Sequence, residues 1–301
     1  MIELKNEKIA IPVVLIAGML WSFGPLVVRH MDEPGLVAWQ YIFARGLTIF
    51  VVLNLYLFFE EGKNFYKNYL KIGVSGLIGG CGLGVAMVTF IYSITNTSAA
   101  VTLLCLAAMP FFTALLGFLF LKENISFNVW IAIIIASIGI IIIALGNTEK
   151  NSLMGLIFGM TSSIGFSIFS VTLRWRKETP KFTTVAIAGL FCVLVSIIFI
   201  LINKSTIFST SFNGAMFSLH GILVCLGLIL YSIGSKAIPA AELTLLSLTE
   251  VIGGIFWVWL PLFGINEIPY TNTIIGGFFL FMSIIYYSLT IKTNRRFIAL
   301  N

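Results

Sequence analysis

The sequence predicts an all-α integral membrane protein with ten transmembrane helices, and three observations carry that prediction. The chain is 59% hydrophobic and only 10% charged, against roughly 45–50% and about 25% in soluble domains. Its apolar residues gather in stretches near the ~20 residues that cross a bilayer as a helix. Its basic residues collect in the short connections between those stretches, most of them on one side. A soluble core of this size would need a polar shell, and there are too few charges to make one. The net charge of +6 therefore belongs to loops rather than to a basic groove, and no nucleic-acid partner is expected.

Taken in order, the predicted spans are residues 9–29, 36–59, 70–94, 97–121, 127–145, 153–173, 182–202, 217–236, 240–263 and 272–291. The first follows Lys5 and Lys8. It exceeds the ~7–15-residue apolar core of a signal peptide and has no small-residue cleavage site after it, so it reads as a retained helix. Turn chemistry separates the spans, as in Met31-Asp32-Glu33-Pro34-Gly35 and Gly146-Asn147-Thr148. Pro12, Pro25, Pro110 and Pro261 kink or begin helices, because proline lacks the N–H that an interior turn needs. In the third span Gly76, Gly80 and Gly84 form a smooth ridge that lets a neighbouring helix approach, within the bundle rather than between copies. With the N-terminus inside, fourteen Lys and Arg face the cytoplasm, including Lys63, Lys67, Lys71, Lys122, Arg174 and Arg176. Only Arg29, Lys150 and Lys204 face out. Both termini are expected in the cytoplasm.

The two halves repeat weakly. Gly18, Met19, Ser22 and Gly24 fall on Gly159, Met160, Ser163 and Gly165 at an offset of 141 residues, as Ala99, Ala100 and Leu104 fall on Ala240, Ala241 and Leu245. Five spans per half is an odd number, so the halves enter the membrane in opposite directions. Inverted repeats of this kind recur in transporters, with the substrate held near the midplane between them.

Here the chain resembles a known family. Ser98-Ala99-Ala100 opening a span, Pro110 in its middle and Glu123 just past its end are similar to the signature of the EamA-type drug/metabolite transporter superfamily. The segment Pro239–Pro269, ending near Glu267, echoes it, and Trp21-Ser22 and Arg45 also fit. The resemblance implies two inverted five-helix repeats, residues 1–146 and 147–301, around a central cavity opened alternately to each side. Two departures are visible: Val251 stands where the mate of Pro110 would be, and Glu267 comes three residues later than the offset predicts.

Depth along each helix, at about 1.5 Å per residue, selects candidate site residues. Trp21, Arg45, Met109, Ser163 and Glu250 each lie about 9–12 residues from a helix start, near one midplane layer. Arg45 and Glu250 are the formal charges in that layer, where ionised groups cost roughly 2.5–3.5 kcal/mol and normally face the bundle interior. They can pair with each other or hold opposite ends of a zwitterion; a structural ion pair or a protonated, hydrogen-bonded acid is the competing reading. Ser22 completes the substrate-binding candidates with Tyr231 and Trp257, deep aromatics which, with Trp21 and a carboxylate, would cage an amine by cation–π attraction. Trp39, Tyr92 and Trp259 read as interfacial rings. Glu242 reads as a helix-end group facing an N-terminal dipole, and Glu123 and Glu267 as capping or pairing groups. His30 and His220 are too isolated for a metal site, and Cys81, Cys105, Cys192 and Cys225 read as buried thiols without metal spacing.

The function implied is secondary transport of small organic metabolites, amino acids or amine-like compounds, with a proton as candidate coupling ion and no cofactor. The expected setting is a bacterial inner membrane, with the bilayer and a small-molecule substrate as partners and a monomer or homodimer as the assembly. No ATP-binding motif is present to energise it. A channel or a non-catalytic structural subunit remains the alternative. An enzyme is not expected, since the sequence offers no HExxH motif, nucleophile–base pair or acidic cluster.

Overall fold

The computed structural model describes residues 6–97, 99–123, 125–146, 153–176, 178–265 and 271–298. Among them every regular element is helical: α1 (Glu7–Trp21), α2 (Gly24–Arg29), α3 (Ala38–Glu61), α4 (Lys67–Leu70), α5 (Gly73–Asn96), α6 (Ala99–Leu106), α7 (Met109–Leu116), α8 (Phe127–Gly146), α9 (Leu153–Trp175), α10 (Lys181–Ile202), α11 (Ser211–Gly234), α12 (Ala240–Ser247), α13 (Thr249–Trp259) and α14 (Thr271–Ile298). Single turns at Gly62–Tyr66 and Pro261–Phe263 are 3₁₀, and a π-helical turn, Gly117–Leu121, continues α7. Seven helical segments among the described residues are long and apolar enough to cross a membrane, and Met109–Leu121, Phe127–Gly139 and Ile274–Tyr287 are shorter apolar helices. Together they fall on the ten predicted stretches. Ser98, Lys150, Lys177, Glu267 and Pro269 lie outside the described residues.

Three of those stretches are broken. The first bends after Trp21, with Pro25 in the opening turn of α2, and the fourth breaks at Ala107–Ala108, with Pro110 in the opening turn of α7. Proline is tolerated there because first-turn N–H groups have no helical partner. The ninth breaks at Leu248, 141 residues after Ala107, although Val251 replaces the proline. Three hydroxyls surround it: Thr244 donates to the Ala241 carbonyl (3.0 Å), Ser247 to Thr244 (2.8 Å), and Thr249 to Leu246 (3.3 Å) and to Leu15 of α1 (3.2 Å). Such back-bonding competes with the helical ladder. Pro12 sits inside α1 without ending it.

Helix pairings come in matched sets. α5 packs on α9 and α11 on α1; α10 packs on α5 and α3 on α11; α12 meets α7 and α13 meets α6. α3 with α10 and α8 with α14 form the remaining large contacts. At the α3–α10 crossing Gly46 and Gly189 face each other, and a Cβ on either would stand 2.8 Å from the other's carbonyl oxygen. Backbones meet there because neither residue carries a side chain. The ridge Gly76, Gly80 and Gly84 lies along α10 and the turn before it, against Thr179, Ile187 and Phe191, which is the intramolecular packing expected of it.

Two expectations are corrected. Cys105, Cys192 and Cys225 are buried, but Cys81 is exposed, on a part of α5 turned away from its helical neighbours. A thiol on such a face is a small apolar group that hydrocarbon solvates. The eighth stretch begins at Ser211 rather than 217, because Thr210 caps it by accepting from the Asn213 N–H at 3.2 Å.

Candidate functional site

A small cavity of about 70 Å³ lies among α1, α3, α5, α6, α7, α9, α11 and α13. Its walls are mainly apolar, from residues such as Leu83, Met87, Phe90, Phe166 and Leu228, and its polar groups are few: Arg45, Ser162, His220 and Glu250, with the Trp21 indole.

Of the predicted residues, Trp21, Arg45, Met109 and Glu250 line this cavity. Arg45 is 2% exposed and Glu250 9%. The guanidinium donates from Nη2 to the Met87 carbonyl at 2.7 Å, while its Nε has no hydrogen-bond partner. Its carbon stands 5.4 Å from the centroid of the Tyr41 ring. No salt bridge or hydrogen bond joins Arg45 to Glu250, and none engages the Glu250 carboxyl among the described residues. A buried charged group left unpaired costs far more than a made bond returns, so the cavity holds a cation and an acid whose bonding capacity is largely unspent.

Ser22, Ser163, Tyr231 and Trp257 lie outside the lining. Ser163 Oγ donates to the Cys105 carbonyl, and Ser167 Oγ donates to Met109 at 3.1 Å. These two bonds flank the break between α6 and α7 and engage carbonyls near the point where the ladder fails. Ser22 Oγ donates to Met19 (2.6 Å) and accepts from Trp257 Nε1 (2.8 Å), and the Trp257 ring stacks on Phe23 at 4.8 Å. The pair ties the end of α1 to α13. Tyr231 hydrogen-bonds Ser170 at 2.6 Å and stands 5.4 Å from Trp21, so it backs the indole rather than facing the cavity. The three deep aromatics therefore form no common cage. Trp21 itself is fixed by Val224, whose carbonyl accepts its Nε1–H at 3.2 Å, and by Gly227, where a methyl would fall 2.2 Å from that nitrogen.

His220, Ser162 and Phe166 are lining residues that sequence reasoning missed. Moving the start of α11 from 217 to Ser211 carries His220 inward to the cavity, where its Nδ1 is hydrogen-bonded to the Tyr41 hydroxyl. The Ser209-Thr210 pair preceding the span was the available cap signal. Ser162, beside the predicted Ser163, donates to the Ala86 carbonyl at 2.9 Å. A one-residue step turns a helix by about 100°, so depth alone does not choose the face.

The two ends of the bundle are tied differently. At one, Glu123 accepts from Arg174 Nε (2.5 Å) and from the Ala240 N–H (3.2 Å), while Arg174 Nη1 donates to the carbonyls of Ser235 (2.9 Å) and Ile238 (2.6 Å). Glu242, in the first turn of α12, accepts from the Tyr287 hydroxyl. In the connection between α11 and α12, partial burial lowers the Lys236 ammonium from its ordinary range. At the other end His30 places Nδ1 2.8 Å from the Leu26 carbonyl and Nε2 2.7 Å from the Phe263 carbonyl. Nearby, Asp32 N–H donates to Asn213 Oδ1 (3.1 Å), and Gln40 donates to Thr206 (3.0 Å). Among the described residues no cluster of His, Cys, Asp and Glu has the geometry of a metal site.

A helical bundle with several membrane-length apolar segments around a mainly apolar cavity that holds a few polar groups defines a multi-pass membrane protein. Residues 8–145 match the EamA-like transporter family, so the first half of the chain is an EamA domain. An "uncharacterized transporter" of Helicobacter pylori strain J99 is 30% identical over 140 residues, which is 46% of this chain and 46% of that protein. Its counterpart in strain 26695 is 29% identical over 140 residues, with the same coverage. The matched segment thus spans about half the length of these relatives. A solved crystal structure superposes with a TM-score of 0.73 at 16% identity, over 96% of this chain and 99% of its own. That likeness shows the fold alone.

Proposed function

We propose that this protein is a secondary carrier for small organic metabolites bearing an ammonium, a carboxylate or both, amino acids or amines foremost, and that it works by alternating access. The observation that carries the reading is the apolar cavity into which two halves of the chain place one cation and one acid, Arg45 and Glu250, without pairing them. An amino acid would set its carboxylate against Arg45 and its ammonium against Glu250; a simple amine would use Glu250 and the aromatic walls.

On this reading residues 1–146 and 147–301 are two inverted five-helix repeats. The reciprocal helix pairings and the breaks at Ala107–Ala108 and Leu248 support that division. Both termini lie in the cytoplasm of a bacterial inner membrane, as the distribution of Lys and Arg favours, and the unit is a monomer or homodimer. Glu250 is the group suited to exchange a proton with the cavity as substrate enters.

The test is reconstitution. A thermal-shift screen over amino acids, polyamines and quaternary amines selects a ligand, and proteoliposomes then measure its uptake. Saturable uptake accelerated by the same compound on the far side is the expected result. Non-saturable flux far above carrier rates would make the protein a channel. Glu250→Gln is expected to lower uptake at least about ten-fold, the loss of one charge-assisted contact, with expression unchanged. Full uptake in that variant removes Glu250 from the mechanism.

A further inference from the structure

We propose that Glu123 and Arg174 are positioning residues of a gate: a latch that closes one end of the cavity by holding α12, the lever on which Glu250 is carried. The proposal rests on the carrier reading above and adds the contact that must break for this end to open.

The geometry begins at Lys122, whose left-handed backbone (φ 54°) ends the π-helical turn after α7 and directs the chain to Glu123. Glu123 belongs to the first half of the chain, yet both its carboxylate oxygens are used by the second half. Oε1 takes the Arg174 Nε–H at 2.5 Å, and Oε2 takes the N–H of Ala240, the first residue of α12, at 3.2 Å. Arg174, at the end of α9, clamps the connection between α11 and α12 through the Ser235 and Ile238 carbonyls. Lys181 reinforces that connection, donating to Ser235 Oγ at 2.6 Å and to the Ser232 carbonyl at 3.2 Å. One ion pair therefore joins the end of α7, the end of α9 and the start of α12.

α12 is held at this end and interrupted at the other. It runs from Ala240 to Ser247, meets the Leu248 break, and is followed by α13, whose second residue is Glu250. A short rigid element between a latch and a discontinuity moves as a unit, and a break inside a packed helix is a recurrent hinge position. Releasing Glu123 removes a polar tie between the N-terminus of α12 and the first half, leaving α12 to shift against its packing on α7 and α1, and the displacement is delivered through Leu248 to the carboxyl in the cavity.

Exposure distinguishes a latch from a permanent tie. Arg174 and Glu123 are 24% and 20% exposed, so water is at hand to replace either partner, and pairs in such surroundings exchange readily. The Tyr231–Ser170 bond, by contrast, is fully buried. The cluster around the latch supplies alternative partners of both signs, Lys181 and Glu242, within the same group of elements.

The experiment reads accessibility rather than transport. In a background with the four native cysteines replaced, Leu228→Cys places one thiol in the cavity. A membrane-impermeant maleimide is then applied to the full-length protein in sealed vesicles of each orientation. Glu123→Gln and Arg174→Gln are expected to raise labelling from the Glu123 face roughly five-fold, a population shift of the size a partly exposed pair commands. The exchanged pair E123R/R174E keeps opposite charges but can neither accept from the Ala240 N–H nor donate to the Ser235 and Ile238 carbonyls, and is expected to label like the single variants. Equal labelling in the parent and both single variants, with each monodisperse in detergent, overturns the latch. If a single variant fails to fold, Arg174→Lys decides: it keeps the charge on Glu123 but gives up the fork to Ser235 and Ile238, and unchanged labelling there also overturns the proposal. Raised labelling in a protein whose parent shows no counterflow would sink the carrier reading and leave the latch standing. Intact counterflow with unmoved labelling would do the reverse.

Discussion

At the end of the bundle where α9 finishes, a guanidinium and a carboxylate meet and between them engage three backbone groups of another segment. At the opposite end, where α2 finishes, the corresponding reach from the first stretch to the turn after α13 is made by one imidazole. The two ends of one bundle thus close with unmatched chemistry: both partners of His30 are carbonyl oxygens, which only accept. The difference teaches that one bundle can close its two ends with ties of different strength.

The contrast can be broken at the strong end first. Arg174→Ala strands the Glu123 carboxylate and the Ser235 and Ile238 carbonyls together, and is expected to cost about 2 kcal/mol, read as a lower melting temperature in detergent. A melting point equal to that of the parent would show that the two ends are equally weak.

His30 comes next. His30→Phe removes the bond to the Phe263 carbonyl, and with it the reach from the first stretch to the turn after α13. It is expected to cost about 1 kcal/mol, read as a smaller drop in melting temperature than that of Arg174→Ala. An unchanged melting temperature would show that this bond does not tie the end.

The smallest effect is expected at Gln40, whose bond to the Thr206 carbonyl also lies at the His30 end. Gln40→Ala is expected to shift melting by no more than about 0.5–1 kcal/mol, the net value of one neutral hydrogen bond. A larger loss would place the main tie of that end at Gln40 rather than His30.

Hydropathy made the ten helical stretches legible, and proline marked two of the three breaks. The break at Leu248 was not legible, because no proline marks it and the hydroxyls of Thr244, Ser247 and Thr249 around it are of a kind that continuous helices of this chain also carry. Arg45 and Glu250 stood out because charge inside an apolar stretch must be accommodated. Ser163 shared their depth, and Tyr231 and Trp257 were chosen as deep aromatics, but all three face other neighbours, since rotation about a helix axis is set by packing between helices that the chain order does not reveal. His220 was displaced outward by a helix start placed six residues late, and its position in the cavity followed once Thr210 was seen to cap α11.

Arg45 is the residue next to Gly46, where α3 crosses α10 backbone to backbone. Points on an axis of rotation travel least, and two chains with no side chains between them are the natural place for such an axis. On the carrier reading Glu250, beyond the Leu248 break, would stand where displacement accumulates. The cation would then be a fixed post and the acid a travelling one. A bound molecule gripped by both would feel the protein's motion as a change in the span between its own two ends, so the length of the substrate, as well as its charge, would decide whether it is carried.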